Sequence, residues 1–233
     1  MTHPLEDWGS LERSVQLLLY KELADSVVIK YKKRKPVLIN YGKNLTLIGV
    51  GRSAFVFKID NTSKALKVYY PKHRYIAGVE ASVYKAIHNI DYFPALYESG
   101  NHYIVIDYIE GLTLFDCLTS GIKISEKVIY EVDRALCLTR NLGLNPADVH
   151  LRNIIMTPSG KIKLIDVARF YQVTECPQWD DIKTAYYRVY TKPIFPKKLP
   201  ALFLNLIANF YKVFLYKVDR KHSLARFNFK LFR

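Results

Sequence analysis

The stretch Asn145–Phe170, NPADVHLRNIIMTPSGKIKLIDVARF, decides how this 233-residue chain is interpreted. It contains two short apolar runs, residues 154–156 and 162–165, separated by a Thr-Pro-Ser-Gly turn. Apolar, β-branched runs that flank such a turn predict a β-hairpin. Asn153 stands just before the first run and Asp166 just after the second. Because a hairpin brings its two ends together, these two side chains are expected to lie side by side.

A second carboxylate, Asp148, lies in the loop that leads into the predicted hairpin. Carboxylate and carboxamide oxygens that converge at the end of a loop suit Mg²⁺ together with a phosphate group. Asn153 and Asp166 are the expected ligands, which leaves Asp148 to act as a base. This arrangement indicates phosphoryl transfer, with ordinary acids of a hairpin turn as the alternative.

Upstream, two β-rich runs in the segment Leu45–Lys58, LTLIGVGRSAFVFK, flank a turn that contains Gly49 and Gly51. Backbone N–H groups exposed in such a turn can lie over phosphates. A pair of glycines in a hairpin is also typical of a plain turn, so this segment alone does not decide between the two.

Lys67 follows in the run Ala65–Val68, where the alternation of a strand places it on the same face as Ala65. A lysine on the inward face of a strand is costly unless a charged group pairs with it. Glu80 is the candidate partner, because Val79–Ile90 has helical periodicity and would lie behind the sheet. The sequence therefore predicts a Lys67–Glu80 ion pair.

The order of these features resembles the protein-kinase-like superfamily, in which Asp148-x-x-x-x-Asn153, a hairpin and Asp166 match the catalytic loop and the metal-binding aspartate. A histidine two places after the Asp is closer to small atypical bacterial-type Ser/Thr kinases of the RIO, aminoglycoside phosphotransferase and lipopolysaccharide-kinase-like branch. The resemblance covers residues 45–170. It implies an α+β, bilobal protein-kinase-like fold with a reduced C-terminal lobe, and transfer of the γ-phosphoryl group of ATP with Mg²⁺.

The resemblance also implies a role for each matching residue. Asp148 would be catalytic together with Lys67 and Glu80, and Asn153 and Asp166 would hold the metal. Ile106 would precede the segment whose backbone meets the adenine. The residues expected to bind ATP are Gly49, Val50, Gly51, Val56, Ala65, Lys67, Asp107 and Ile109.

The chain departs from the protein-kinase pattern in its connecting segments. Pro146-Ala147 replaces the usual His-Arg before the catalytic Asp, and Val-Ala follows Asp166 where Phe-Gly is usual. Only thirteen residues separate Asp166 from Asp180, which is too few for a long, phosphorylation-gated activation loop. We therefore expect a constitutively assembled kinase, in which Asp180 or Asp181 either braces the catalytic loop or caps a helix.

The acceptor stays open between a protein and a small hydroxylated molecule. His150 stands where similar kinases carry a lysine that touches the transferred phosphate, which puts protein acceptors in question. A protein Ser/Thr acceptor is nevertheless favoured, because no insertion after Asp166 could build a pocket for a small molecule. The rival interpretation is a non-catalytic kinase-like scaffold that binds nucleic acid or a membrane.

The formal net charge of +14 is clustered along the chain. One cluster is residues 30–35, KYKKRK, and in the other, residues 192–233, ten Lys and Arg less one Asp give +9. Such clusters predict an anionic partner, which leaves nucleic acid, an anionic membrane, an acidic protein or a phosphorylated substrate open. The alternative is solvated surface charge.

Three features predict a cytoplasmic location. The three cysteines lack the spacing of a metal site, the first twenty residues do not resemble a secretory signal, and no apolar run reaches the roughly 18 residues of a spanning helix. Peripheral association with a membrane is left open.

Helical spacing predicts a first helix over residues 10–26, capped by Ser10, and a last helix over residues 199–218. Completion of the C-terminal lobe is the favoured role of the last helix, with membrane contact as the alternative. The tail Lys217–Arg233 alternates basic and aromatic residues, and the surfaces on which it could dock are the kinase body, an anionic membrane and a nucleic acid. The oligomeric state stays open. The predicted parts are an N-terminal helix and basic segment (1–40), a kinase N-lobe (41–108), a reduced kinase C-lobe (109–218) and a basic aromatic tail (219–233).

Overall fold

The computed structural model describes residues 7–174 and 176–211, with side chains from residue 16 onward. Helices and strands are mixed along the chain, as the sequence predicts. In chain order the elements are α1 (Asp7–Asp25), β1 (Val28–Lys32), β2 (Lys35–Asn40), β3 (Leu45–Val50), β4 (Ala54–Ile59), β5 (Lys64–Tyr69), α2 (Tyr75–Ala86), β6 (Leu96–Ser99), β7 (Tyr103–Asp107), β8 (Leu112–Thr113), α3 (Leu114–Ser120), α4 (Glu126–Asn141), β9 (Ile154–Met156), β10 (Ile162–Leu164), α5 (Gln178–Ala185) and α6 (201–211).

A five-stranded antiparallel sheet, in the order β3-β4-β5-β7-β6, carries the first part of the predicted site. Successive side chains of a strand point to opposite faces. In β5, Leu66 and Val68 therefore enter the core on one face, whereas Ala65 and Tyr69 enter the core on the other. Lys67 shares the face of Ala65, as predicted.

The outer face of the sheet is covered by α1. Tyr20, Leu23 and Ala24 pack there in one buried cluster with residues of the sheet that include Phe57 and Val105. Burial of this apolar stripe against the sheet stabilises both elements. The helix predicted from residue 10 is present but begins at Asp7, so Ser10 is not its cap.

The basic cluster at residues 30–35 forms a β-hairpin, in which β1 pairs with β2. Lys33 and Arg34 form its turn with φ angles of 48° and 66°. Two-residue hairpin turns require such positive φ angles and usually contain Asn or Gly. The turn lacks that signal. Strand-like residues at Val37–Tyr41 predict the second strand, and no comparable pattern in the basic cluster predicts the first.

The inner face of the sheet contacts a second core, formed by α2 to α5 and the β9–β10 hairpin. The hairpin pairs as predicted, with Ile154 opposite Leu164. α2 begins at Tyr75, four residues before the predicted start. Ser125 precedes α4 as expected, but its side chain makes no capping hydrogen bond.

Gly111 is required where the chain leaves the sheet. Its φ is +153°, and a Cβ placed on it would lie 2.4 Å from the carbonyl oxygen of Met156. We expect Gly111→Ala to lower the free energy of unfolding by about 3–5 kcal/mol, because backbone strain and the clash add together. Urea denaturation measures this effect. Gly143→Ala is the control, since Gly143 has a φ of +76° but nothing within 4 Å of its Cβ position. The control should lose only about 1–2 kcal/mol, and equal losses would contradict the role of the clash.

α6, the predicted last helix, joins the second core through Leu204, and its place in a C-terminal lobe stays a prediction. Leu204 is buried, Arg152 donates a hydrogen bond to Asn205 (3.0 Å) and Tyr211 donates one to Asp181 (2.6 Å). The opposite face exposes large apolar side chains, among them Leu202, Phe203, Leu206, Ile207 and Phe210. Within the described ranges, no helix is both long and apolar enough to cross a bilayer.

Candidate active site

A cleft of about 520 Å³ lies between the inner face of the sheet and the loop that precedes β9. Its volume falls in the range of small-molecule sites. Most of the predicted site residues line it, namely Gly51, Val56, Ala65, Lys67, Glu80, Asp107, Ile109, Asp148, Asn153 and Asp166.

Gly49 and Val50 are the two predicted ATP-binding residues that do not line the cleft. Both lie within β3, paired with Val56 and Phe55, and 68% of Val50 is exposed to solvent. The register shifts between Leu47 and Gly49, which a strict two-residue alternation does not anticipate.

The turn after β3 also differs from the expected phosphate cradle. The N–H of Gly51 donates a 2.9 Å hydrogen bond to the carbonyl oxygen of Ala54. This N–H is therefore engaged within the turn, and the side chains of Arg52 and Ser53 contribute to the lining of the cleft.

Lys67 forms the predicted ion pair with Glu80 inside the cleft. Its Nζ lies 2.9 Å and 2.7 Å from the two carboxylate oxygens of Glu80 and 2.9 Å from Oδ1 of Asp166. Glu80 is fully buried on α2, and Lys67 is only 8% exposed in the middle of the sheet. The structure therefore places one buried cation between two carboxylates that are 86 residues apart along the chain.

Burial and charge act in opposite directions on this group of side chains. Burial disfavours the charged ammonium of Lys67, but the carboxylates of Glu80 and Asp166 raise its pKa well above the ordinary value. The charge of Lys67 lowers the pKa of Asp166, whereas complete burial raises the pKa of Glu80 against the opposing effect of Lys67. Lys67 and Asp166 are thus charged at neutral pH.

Tyr69 belongs to this cluster, although sequence reasoning did not identify it. Its hydroxyl donates a hydrogen bond to Oε2 of Glu80, and burial raises its pKa well above the ordinary value. The alternation of β5 could have identified Tyr69, because it places Ala65, Lys67 and Tyr69 on one face of the strand. This hydrogen bond helps to satisfy a carboxylate that has no access to water.

Asp148, in the loop before β9, and Asp166, just after β10, share an uncommon backbone conformation. Asp148 and Asp166 both have a φ of 62°, in the left-handed region. Asn153 connects them, since its Nδ2 donates to the Asp148 carbonyl (3.0 Å) and its carbonyl accepts from Ile165 N–H (2.9 Å). Strained conformations that the surroundings hold in place are concentrated at functional sites.

Basic groups surround the carboxylate of Asp148. Arg52, from the turn after β3, makes an ion pair with its Oδ2, and Nε of Arg169 lies 3.6 Å from the same oxygen. Nε2 of His150 lies 4.0 Å from Oδ1. Sequence reasoning missed both arginines, because nothing in the local pattern shows that a turn 96 residues upstream reaches this acid.

The segment after β7 forms one wall of the cleft. The side chain of Asp107 faces away, because it accepts hydrogen bonds from Ala95 N–H (2.8 Å) and the Tyr97 hydroxyl (2.7 Å). The N–H of Tyr108 is bonded to Ser63 (2.8 Å). The backbone of Ile109 makes no hydrogen bond to another backbone group of the described chain. Any role of Asp107 in nucleotide binding therefore falls to its backbone.

Comparison with known proteins agrees with this geometry. No family model matches the chain. Over 208 residues the chain is 44% identical to the Bacillus subtilis (strain 168) protein named "Putative serine/threonine-protein kinase YrzF". The matched region covers 88% of this chain and 94% of that protein. The chain belongs to the protein-kinase-like family. Its cleft therefore lies in a kinase-type protein, and the cluster of Lys67, Glu80 and Asp166 is the charged centre of that cleft.

The acids after the kinase-type cleft do not brace the catalytic loop through any described contact. Asp180 pairs with Lys183 (3.3 Å), and Asp181 accepts the hydrogen bond from Tyr211. Asn145 instead connects the start of the loop to the segment after Phe170, since its Nδ2 lies 3.0 Å from two carbonyl oxygens, of Gln172 and Thr174.

The side-chain oxygens of Asp166 and Asn153 suit a hard divalent cation such as Mg²⁺. Oδ1 of Asp166 contacts Lys67, while its Oδ2 has no hydrogen-bond partner among the described residues. Asn153 uses its Nδ2 for the Asp148 carbonyl, which leaves the carboxamide oxygen available. Within the described ranges, no group of three or more His, Cys, Asp or Glu side chains could hold a metal by itself. Mg²⁺ characteristically binds through one or two protein oxygens together with water and substrate phosphates.

Proposed function

We propose that this chain is an ATP- and Mg²⁺-dependent protein kinase that transfers the γ-phosphoryl group of ATP to a Ser or Thr hydroxyl. The main support is the buried contact of Lys67 with both Glu80 and Asp166, beside Asp148 and Asn153, in a member of the protein-kinase-like family. We assign it to the small atypical bacterial-type kinases and propose a bilobal arrangement with the cleft between the lobes. Because α1 packs on the sheet, its residues belong to the N-terminal lobe.

The proposed mechanism gives each charged side chain one task. The ammonium of Lys67, held by Glu80, neutralises phosphate oxygens, and the carboxylate of Asp148 orients the acceptor hydroxyl and accepts its proton. Asn153 and Asp166 would hold Mg²⁺, which when bound offsets the negative charge of the phosphates. Positioning and fixed charges of this kind supply most of the acceleration in phosphoryl transfer.

Several apolar side chains in the walls of the cleft suit a flat base such as adenine. Val56 and Ala65 line the cleft from the sheet and Ile155 from β9, while Ile109 supplies backbone groups at its edge. We propose that adenine binds there, because ligand sites combine apolar walls with a few polar groups that fix orientation.

A protein acceptor is favoured over a small molecule by the length of the chain after Asp166. Only residues 167–177 connect it to α5, and no inserted element stands over the cleft within the described part of this segment. The mouth of the cleft is therefore open to an extended segment of another protein. We propose a cytoplasmic location for this reaction, in agreement with the scattered cysteines of the sequence.

The test is incubation of purified protein with Mg²⁺ and γ-labelled ATP in the presence of a general acceptor protein. Label on Ser or Thr that requires Mg²⁺ and disappears with excess EDTA is the expected result. Label found only on added small alcohols would contradict the protein acceptor. Binding of ATP without any label would favour the non-catalytic scaffold.

A second role is supported by the exposed apolar face of α6. We propose that this face rests on an anionic membrane surface, because it exposes Phe203, Leu206 and Phe210 within the part of the sequence that carries a net charge of +9, ten basic residues less one acid. Apolar contact and positive charge together are typical of peripheral membrane binding. The sequence also predicts that the basic tail Lys217–Arg233 contacts an anionic partner. This tail lies outside the described residues.

Sedimentation with phosphatidylglycerol-containing vesicles tests this second role. The double variant Leu206→Asp/Phe210→Asp should lose most of the binding, and Tyr130→Asp, at an exposed aromatic position on α4, should keep it. Equal binding by both variants would contradict the role of α6. Equal binding to neutral phosphatidylcholine vesicles would contradict the role of charge.

A further inference from the structure

Arg52 connects the two sides of the cleft. It lies in the short turn between β3 and β4, and its guanidinium makes an ion pair with Asp148 in the loop before β9. The side chain of Arg52 is 62% exposed, whereas that of Asp148 is only 14% exposed. The arginine therefore reaches inward from solvent and covers the acid at the mouth of the cleft.

This contact conflicts with the proposed task of Asp148. A carboxylate that accepts a proton from a hydroxyl must have an oxygen within hydrogen-bond reach of it. A guanidinium on the same carboxylate occupies Oδ2 and excludes the acceptor hydroxyl from that oxygen. Departure of Arg52 would therefore uncover this oxygen for the acceptor hydroxyl.

Arg52 is the cation in the cleft that can move most easily. Lys67 is buried and committed to Glu80 and Asp166, and Arg169 is attached close to Asp166 on the same side as Asp148. Arg52 alone among these three is carried by a short turn on the opposite side, and its partner within the described residues is Asp148. Exposed ion pairs are weak in water, so a stronger anion can displace the carboxylate.

We propose that Arg52 exchanges partners during the reaction. Without nucleotide its guanidinium pairs with Asp148, and with nucleotide it binds the phosphate oxygens and releases Asp148 to the acceptor hydroxyl. Phosphate is the favoured partner, because a guanidinium binds phosphate through two parallel charge-assisted hydrogen bonds. The inference rests on the proposed function and adds to it a positioning residue that couples nucleotide binding to exposure of the base.

A thermodynamic consequence distinguishes this exchange from a merely structural contact. If Asp148 and the nucleotide compete for Arg52, removal of the Asp148 charge should strengthen nucleotide binding only while Arg52 is present. Any direct repulsion between Asp148 and the phosphates acts equally in the protein with Arg52 and in the Arg52→Gln variant, which are the two backgrounds compared. The difference between the two backgrounds therefore reports the competition alone.

The experiment measures the dissociation constant of a non-hydrolysable ATP analogue with Mg²⁺ by calorimetry, for the unsubstituted protein, Arg52→Gln, Asp148→Asn and the double variant. Arg52→Gln should weaken binding about tenfold, the loss of roughly one charge-assisted contact. Asp148→Asn should tighten binding about fivefold with Arg52 present and less than twofold in its absence. Equal effects of Asp148→Asn in the two backgrounds would overturn the exchange.

Controls separate this inference from the proposed function and from misfolding. Arg188→Gln removes an exposed arginine remote from the cleft and should leave the dissociation constant unchanged. Arg52→Lys keeps the charge without the planar fork and should recover only part of the affinity. Thermal melting of each variant should match that of the unsubstituted protein, and a sharp loss confined to Arg52→Gln would overturn the exchange in favour of a structural role. No binding of the analogue by any protein would overturn the proposed function, whereas normal binding without coupling would overturn the Arg52 inference alone.

Discussion

Asp166→Asn is expected to lower the rate of phosphoryl transfer at least about a thousandfold, because a charged ligand of the Mg²⁺ that would offset the phosphate charge is lost. The substitution keeps the shape of the side chain but removes the charge that contacts Lys67 and that would hold Mg²⁺. The φ of 62° at this position suits Asn nearly as well as Asp, so the backbone should be retained. Initial rates with γ-labelled ATP measure the loss, and circular dichroism checks the fold.

Asp91→Asn is the matched control for Asp166→Asn. Asp91 also contacts a lysine, since its Oδ1 lies 3.0 Å from Nζ of Lys163, but its side chain is 88% exposed and lies outside the cleft. The same chemical change should therefore leave the rate within about twofold, as for an ordinary surface ion pair. Retention of full activity by Asp166→Asn would refute the metal-binding role.

Much of the fold and of the charged centre can be predicted because the signals are local and agree with one another. The alternation of β5 placed Lys67 on the inward face, and helical spacing placed Glu80 behind it. The hairpin brought Asn153 and Asp166 to the same edge. Each inference needed only one periodicity or one turn, together with the order of the elements.

Features that depend on turn conformation could not be predicted in the same way. Gly49 and Val50 remain in β3, where the pairing with β4 continues past the register shift between Leu47 and Gly49. A glycine in a strand can indicate such a shift but does not fix where the strand ends. The reach of Arg52 to Asp148 depends on how a three-residue turn sits across the cleft. Such contacts follow from tertiary structure and leave no periodic trace in the sequence.

The helix α6 shows a different limit. Its spacing is typical of a core helix, but most of its large apolar side chains are exposed, and it contacts the rest of the chain partly through exposed hydrogen bonds of Asn205 and Tyr211. Composition reports that a face is apolar and not what covers it. A helix that turns its apolar face outward cannot be distinguished from a core helix by spacing alone.

Lys67→Met is expected to lower the free energy of unfolding by about 3–5 kcal/mol near pH 8, because it leaves the carboxylate of Glu80 buried without a cation. Among the described residues, Glu80 would then keep the hydrogen bond from Tyr69, a neutral donor. Urea denaturation at pH 5 and pH 8 measures the effect. Phosphoryl transfer should be lost at both pH values, because the cation proposed to neutralise the phosphates is absent.

The dependence of this loss on pH identifies its cause. Burial already raises the pKa of Glu80 above its ordinary 4.5, and removal of the opposing charge of Lys67 raises it further. A carboxyl group whose pKa is higher in the folded than in the unfolded protein stabilises the fold when it is protonated. This contribution is complete at a pH below the unfolded pKa, and it disappears as the pH rises through the folded pKa. The deficit of Lys67→Met should therefore be smaller at pH 5 than at pH 8. Lys163→Met is the control, because its partner Asp91 is exposed, and it should lower the free energy of unfolding by no more than about 1 kcal/mol at either pH. A loss for Lys67→Met that does not change with pH would show that Glu80 is not the group left unpaired.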